Sequence, residues 1–439
     1  MIGPSKPMSL QTAHLRRSKA IETVALAAAR LLDDGQTTER TVIATEQLGR
    51  ALGLSVTVLP HWDEIAVHTD GAPSAEIVPA APLGVHMGRV HATMTIIERV
   101  CGGTLSIEAA GPAVATVARQ RPASTPWFVL FAAIGAASMG VIFGALDAIS
   151  LTLIALSAAC GAVLRRWLAA RFDNPFVQPF CAAAVAGILG AAAVRFDLAD
   201  AQGLIAICPC MVLVPGPHIL NGAIDLMRTR ITLGISRLGY AGLIVLMICT
   251  GLLLGLGAGG AILPAAAPSV PVPFIADVIA AGCAVAAFGT FFSMPWRLLP
   301  VPIAVGMLAH GTRWALISFV GAPVAIGALG ACFLVGMVIT PIADRLHLPF
   351  AALGFSAVVS MMPGLFLFRV ASALVSIVSI GNHAPLGLLQ SAVANGTTAF
   401  LIILAMTLGL ILPRLLFERQ HSPTRPPRSG EARSGTRTD

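Results

Sequence analysis

The chain has 439 residues, of which 56% are apolar and 11% charged, against roughly a quarter charged in soluble domains. Its net charge of +7 comes mainly from arginines in short loops and in the C-terminal tail, which are membrane orientation signals and exclude nucleic acid as the expected partner. Cys160, Cys181, Cys208, Cys210, Cys249, Cys283 and Cys332 fall in apolar segments, where they behave as small buried hydrophobes, so a disulfide framework is excluded too.

Residues 1–125 read as a small soluble α/β domain on the cytoplasmic side. Arg16-Arg17 precedes Ile21–Arg30, where Glu22 and Arg30 interrupt any apolar core. That pattern predicts an amphipathic helix rather than a signal peptide. Helical spacing runs from about Ser18 to Gly35, with the glycine as a C-cap. A second helix is expected from Thr38 to Gly53, with Thr37 or Thr38 as N-cap and no capping box, because Arg40 and Thr41 stand where Glu or Gln would be needed. Leu54–Leu59 and Glu64–His68 alternate around the turn Pro60–Asp63, which predicts two strands, and Ala75–Val78 adds a third. Leu105–Glu108 leads into a last helix that delivers the chain to the membrane. His61, His68, His86 and His91 match no zinc spacing, so no metal is expected, and no cofactor motif accompanies them.

Beyond residue 125 the chain predicts about ten transmembrane helices. They are Trp127–Leu146, Ala148–Leu164, Phe176–Val194, Leu204–Leu226, Leu238–Ala258, Phe274–Phe292, Leu298–Leu316, Phe319–Thr340, Phe350–Ile380 and Leu386–Leu412. Pro300, Pro302, His310 and Arg313 weaken the seventh. With the N-terminal domain inside, the inside loops carry Arg165, Arg166, Arg171, Arg228, Arg230, Arg237, Arg297 and Arg345, and the outside loops only Arg195 and Arg313. The bias places both termini in the cytoplasm. Residues 414–439 form a disordered basic tail.

The stretch Leu213–Gly222 holds Pro215-Gly216 inside the fourth span, and Pro363-Gly364 repeats the step 148 residues later inside the ninth. Arg166-Trp167 after the second span is echoed by Arg313-Trp314 after the seventh. The period is five spans, and an odd period inverts the second unit, giving two inverted five-helix repeats over 126–262 and 273–413. Inverted repeats with matched helix breaks are a signature of secondary transporters, whose sites lie at the midplane. Backbone groups freed by a break must line a cavity or meet a ligand, since each would cost several kcal/mol in lipid.

Ionisable groups inside spans default to function. Asn221 and Asp225 lie one turn apart on one helix face after the first break. Asp225 either holds a proton or meets a substrate ammonium, or else forms an interfacial salt bridge to Arg228. Arg369 after the second break meets a carboxylate, or pairs with an acid such as Asp277. His218 is a candidate for proton handling. Asn395, Thr397 and Thr398 suit interhelical hydrogen bonds as well as a site. Gly255–Gly260 lacks the preceding strand of a phosphate loop. Gly140-x-x-x-Gly144 and Gly251-x-x-x-Gly255 suit close helix packing. An intramembrane enzyme would need paired aspartates in a G-x-G-D context or an H-E-x-x-H helix, and neither is present. A channel or transporter for another small metabolite, or a membrane-anchored sensor, are the alternatives.

Pro215–Leu226 followed by Gly234 and Arg237-Leu238 resembles the Pro-Gly…Asn…Asp-Leu motif in the first membrane half of the threonine/serine exporter family. Pro363-Gly…Arg369 is similar to the Pro-Gly…Tyr-Arg pattern of that family's second half, with Phe368 where tyrosine is usual. Ala27–Leu32, Gly35, Thr38-Glu39 and Ala51–Leu54 resemble its cytoplasmic N-terminal domain. The resemblance spans nearly the whole chain. It implies a secondary active exporter of L-threonine and L-serine in the plasma (inner) membrane, driven by the proton gradient. The implied partners are an amino-acid substrate, protons and the lipid bilayer, with a homo-oligomer left open.

Overall fold

The computed structural model describes residues 10–70, 74–263, 272–345 and 350–421. Seven elements precede the first long apolar helix: α1 (Leu10–Asp33), α2 (Thr38–Ala51), β1 (Val56–Pro60), β2 (Glu64–Thr69), β3 (Glu76–Pro79), α3 (Met87–Cys101) and α4 (Ile107–Val117). The strands form an antiparallel sheet in the order β1-β2-β3, with Val58 opposite Val67 and Ile65 opposite Val78. One face of α1, with Val24, Ala28, Leu31 and Leu32, packs into a buried core with Val58, Ile65 and Val67 of the sheet and Val90, Met94 and Ile97 of α3.

Helix α3 has no counterpart among the expected elements, although Val90, Met94 and Ile97 recur at i, i+4 and i+7. His86 caps it, its Nδ1 accepting the Arg89 amide at 3.2 Å, and His91 lies within it. His61 and His68 are exposed. Among the described residues no group of three or more His, Cys, Asp or Glu gathers where it could hold a metal ion.

The remaining elements are apolar helices: α5 (Thr125–Ile142), α6 (Ala148–Ala169), α7 (Val177–Arg195), α8 (Gln202–Met211), α9 (Gly216–Met227), α10 (Ile231–Ala258), α11 (Phe274–Phe291), α12 (Pro300–Ser318), α13 (Val324–Arg345), α14 (Phe350–Val358), α15 (Gly364–Ile380) and α16 (Leu386–His421). Among the described residues nine helices are long and apolar enough to cross a membrane, and the pair α8 and α9, bent by 57°, makes a tenth. The protein is therefore a polytopic helical membrane protein.

The start of α10 and the end of α16 differ from expectation. The ninth span is α14, a 3₁₀ turn over Val359–Met361 and α15. Helix α10 begins at Ile231 rather than Leu238, so Arg237 is a helical residue, 2% exposed, and not part of a loop. Helix α16 continues past residue 414 to His421, and the rest of the expected tail lies outside the described residues. Helix α12 runs unbroken, because Pro300 and Pro302 sit in its first turn, where a missing N–H costs nothing.

Glycines set the tightest helix contacts. A Cβ on Gly251 would lie 2.2 Å from the Phe180 carbonyl oxygen, and one on Gly255 would lie 2.2 Å from that of Ala184. Helices α7 and α10 thus touch backbone to backbone, as small-residue packing in membranes requires. Gly409 does the same between α16 and α13, where a Cβ would lie 2.8 Å from the Leu329 oxygen. Gly140 makes room for Ile154 of α6, and Gly144, at φ +98°, ends the turn after α5.

Candidate functional site

The two broken helices meet. Pro215 precedes α9 with φ −80° and ψ 59°, and Pro363 precedes α15 with φ −80° and ψ 32°. In both breaks proline ends one segment and its missing N–H falls at the start of the next, where no helical bond is lost. A Cβ on Gly216 would lie 2.7 Å from the Phe355 ring and 3.0 Å from Met362, while one on Gly364 would lie 3.3 Å from Met211. Each break therefore packs against residues of the other broken helix.

Helix α9 turns its polar face toward the N-terminal unit. His218 Nε2 lies 2.9 Å from the Pro82 oxygen, and since a carbonyl only accepts, this nitrogen carries the proton. Asn221 Nδ2 donates to the Gly35 oxygen at 3.3 Å, and Thr38 Oγ1 donates to Asp225 Oδ2 at 2.9 Å. Asp225 also lies 3.5 Å from Arg237 and 3.8 Å from Arg230. Arg228, the expected salt-bridge partner of Asp225, pairs with Glu39, which also holds Arg414 at 3.3 Å. Tyr240 donates to the Leu83 oxygen at 3.2 Å. Met87 and Gly88 donate their backbone amides to the oxygens of Phe292 and Ser293 at 2.9 and 3.0 Å.

Asn221 and Asp225 thus bind the N-terminal unit rather than an open midplane space. The reason is length: three turns beyond Pro215 carry Asp225 to the end of the bundle, where α2 presents Thr38 and Glu39. The sequence signal for Arg237 is its charge inside an otherwise apolar run, and no local spacing ties it to Asp225 on the preceding helix.

Two cavities open beneath this cover. One, of about 300 Å³, reaches Val214 and Pro215 of the first break and is lined by His86, Arg165, Arg166, Gln178 and His218, with no acidic side chain. Arg166 donates to the Ala123 oxygen at 2.7 Å and lies 4.2 Å from the centre of the Phe128 ring. Arg165 lies 5.1 Å from the Phe291 ring centre. Burial and the neighbouring Arg89 push His86 below the usual imidazole range. The second cavity, between Asp34, Gln36, Asn221 and Phe355, holds about 30 Å³. That is room for a water or two and not for an amino acid.

The far end of the bundle is different. Asp277 stands in the first turn of α11, 15 residues before the Phe292 carbonyl that meets the N-terminal unit, or roughly 22 Å along the helix. Its Oδ2 lies 3.2 Å from His310 Nδ1, and His310 Nε2 lies 2.7 Å from Ser360 Oγ, in the 3₁₀ turn of the second break. Asp277 is thereby taken, and it is not the partner of Arg369. Arg369, half-buried in α15, has no ion pair among the described residues, and its Nε has no hydrogen-bond partner. Asn395 donates to the Ser391 oxygen one turn back at 2.7 Å, inside its own helix.

These features define a multi-pass helical membrane protein in which two interrupted helices meet. Residues 22–258 match the ThrE model for threonine/serine exporters, and residues 277–416 match the model described as "Threonine/Serine exporter, ThrE". The chain belongs to the threonine/serine exporter family, with both membrane halves fused in one polypeptide. No solved structure matches it.

Proposed function

We propose that this protein is a secondary active exporter of L-threonine and L-serine, driven by the proton gradient across the plasma (inner) membrane, with both termini in the cytoplasm. The observation that carries the reading is the meeting of the two Pro-Gly breaks, each glycine seated against the other broken helix. Helix breaks matched across a bundle are where such transporters hold small zwitterions.

The inverted-repeat reading draws support from paired packing. Helix α5 packs on α6 as α11 does on α12, α7 on α10 as α13 does on α16, and α9 on α10 as α15 does on α16. Helices α5 and α11 pack on each other between the two sets. In this proposal the basic cavity at Arg165 and Arg166 receives the substrate carboxylate from the cytoplasm. Arg369 takes it over beyond the breaks, and carbonyls at the end of α8 accept the ammonium protons. Asp225, His218 and Asn221 hold the N-terminal unit over the opening.

Export from peptide-fed cells with and without the protein, measured for all amino acids, tests the substrate. Threonine and serine should leave faster with it, and no difference for either would sink the claim. Arg369→Gln should lower export about tenfold or more, the cost of an unmet charge-assisted bond, with membrane levels unchanged. Retained export would remove Arg369 from the site.

A further inference from the structure

The buried row Asp277, His310 and Ser360 is not required by the repeat. Counted from the matched Pro-Gly and Arg-Trp pairs, the first-half positions of Ser360 and His310 hold Val212 and Val163. Where the first half sets Arg166 over the Phe128 ring, the second half sets Arg313 within electrostatic reach of Asp277. The first half thus sets its arginine against an aromatic ring, with Val163 and Val212 beside it in the matched positions, whereas the second half adds a histidine and a serine there and sets its arginine near a carboxylate. Such groups inside a membrane are costly to bury and are kept for function.

We propose that Asp277, His310 and Ser360 form a proton-operated latch that closes the end of the bundle away from the N-terminal unit. The proposal rests on the transporter reading above, and within that reading this end is the outer gate.

The closed form follows from the donors and acceptors. A carboxylate only accepts, so His310 Nδ1 carries the proton donated to Asp277, and neutral Nε2 accepts from the Ser360 hydroxyl. Asp277 is 3% exposed, His310 0% and Ser360 2%, so the row is dry. The groups facing His310 are Asp277 from α11, Ser360 from the break and Arg313 from its own helix, with Cys332 of α13 beside Arg313. With His310 neutral, the Arg313 and Asp277 charges cancel. The latch joins three elements that touch closely here: a Cβ on Gly306 of α12 would lie 3.2 Å from the Ala357 oxygen of α14, and Trp314 Nε1 donates to the Val272 oxygen at 3.0 Å.

A proton arriving from the far side binds Nε2. That nitrogen turns from acceptor to donor, and the Ser360 hydroxyl must turn its own proton elsewhere. Two cations now face one carboxylate in a dry region, an arrangement that only water relieves. Protonation therefore opens the latch and wets the second break, the direction needed for an incoming proton to release an outgoing substrate. A serine nucleophile would need space for a carbonyl and water at Ser360 Oγ, which its burial denies.

Cys332, 0% exposed, reports the state of the latch in the native chain. A membrane-impermeant maleimide is applied to the side away from the N-terminal unit in oriented vesicles, and Cys332 modification is read by peptide mass mapping. Divided by the rate for free cysteine at the same pH, which removes the thiolate dependence of the maleimide reaction itself, modification should quicken about tenfold or more between pH 8 and pH 5, the size of an ordinary coupling free energy. His310→Gln should abolish that pH dependence, and Ser360→Ala should raise modification at pH 8. An absent pH response in the wild type, or the same response in His310→Gln, overturns the latch. If His310→Gln fails to fold, Ser360→Ala decides, and an unchanged rate at pH 8 overturns it. A wild type that moves neither threonine nor serine would sink the substrate reading and leave this measurement intact.

Discussion

Arg237 is 2% exposed, and its Nε and one terminal nitrogen lack hydrogen-bond partners. Asp225 at 3.5 Å is what makes that burial tolerable. Removing one partner of a buried pair leaves an uncompensated charge, at a cost of about 3–5 kcal/mol. Asp225→Asn should therefore lower the thermal stability of the purified protein markedly. Asp225→Asn combined with Arg237→Gln should recover part of the loss. A melting temperature unchanged in the single variant would show that Asp225 is not what makes the burial of Arg237 tolerable. At this scale the sequence was legible in kind and not in partner. Asn221, Asp225 and Arg369 were visible as charges or amides inside apolar runs. Asp277, His310 and Ser360 come from three separate elements, and separations of 33 and 50 residues form no pattern. His310 appeared only as a weakness in the seventh span.

Helices α7 and α10 show how far local spacing reaches. The Gly251-x-x-x-Gly255 step predicts close packing, and the contact it makes is with backbone oxygens of Phe180 and Ala184. Neither atom can retreat as a flexible side chain could. Gly255→Ala should destabilise the protein by about 1–3 kcal/mol, as overpacking does. Gly257→Ala, two residues on, meets nothing within 4 Å and should be neutral or gain up to about 1 kcal/mol from helix propensity. Thermal unfolding of the two variants in detergent checks the contrast, and equal effects would refute it. The breaks were legible because proline and glycine act locally. Helix α3 is weakly marked in the sequence, because Gly88 stands in its first turn and Arg89, His91, Thr93 and Thr95 interrupt its apolar spacing. The early start of α10 was hidden by Arg237, whose partner on α9 no window of sequence reveals.

Across the whole molecule, the N-terminal unit covers one end of the bundle, and Asp34 stands at that junction. Burial raises the Asp34 carboxyl to about 6, against the opposing pull of Arg89 at 3.5 Å. A raised carboxyl stabilises the folded, docked state at low pH, fully below about pH 4, and the contribution is lost as pH rises through about 6. The shift of about two units corresponds to ~3 kcal/mol. Wild-type melting temperature should therefore fall between pH 4 and pH 7, and Asp34→Asn should flatten the fall, leaving the variant the more stable at pH 8. A wild-type curve that rises over this range would contradict the placement of Asp34.

The amides of Met87 and Gly88 grip the end of α11, and Asp277 sits in its first turn at the opposite end. An α-helix of 18 residues is stiff over its ~27 Å length. Helix α11 is therefore a lever, one arm tied to the N-terminal unit and the other to a histidine inside the bundle. A tug that frees one arm must swing the other.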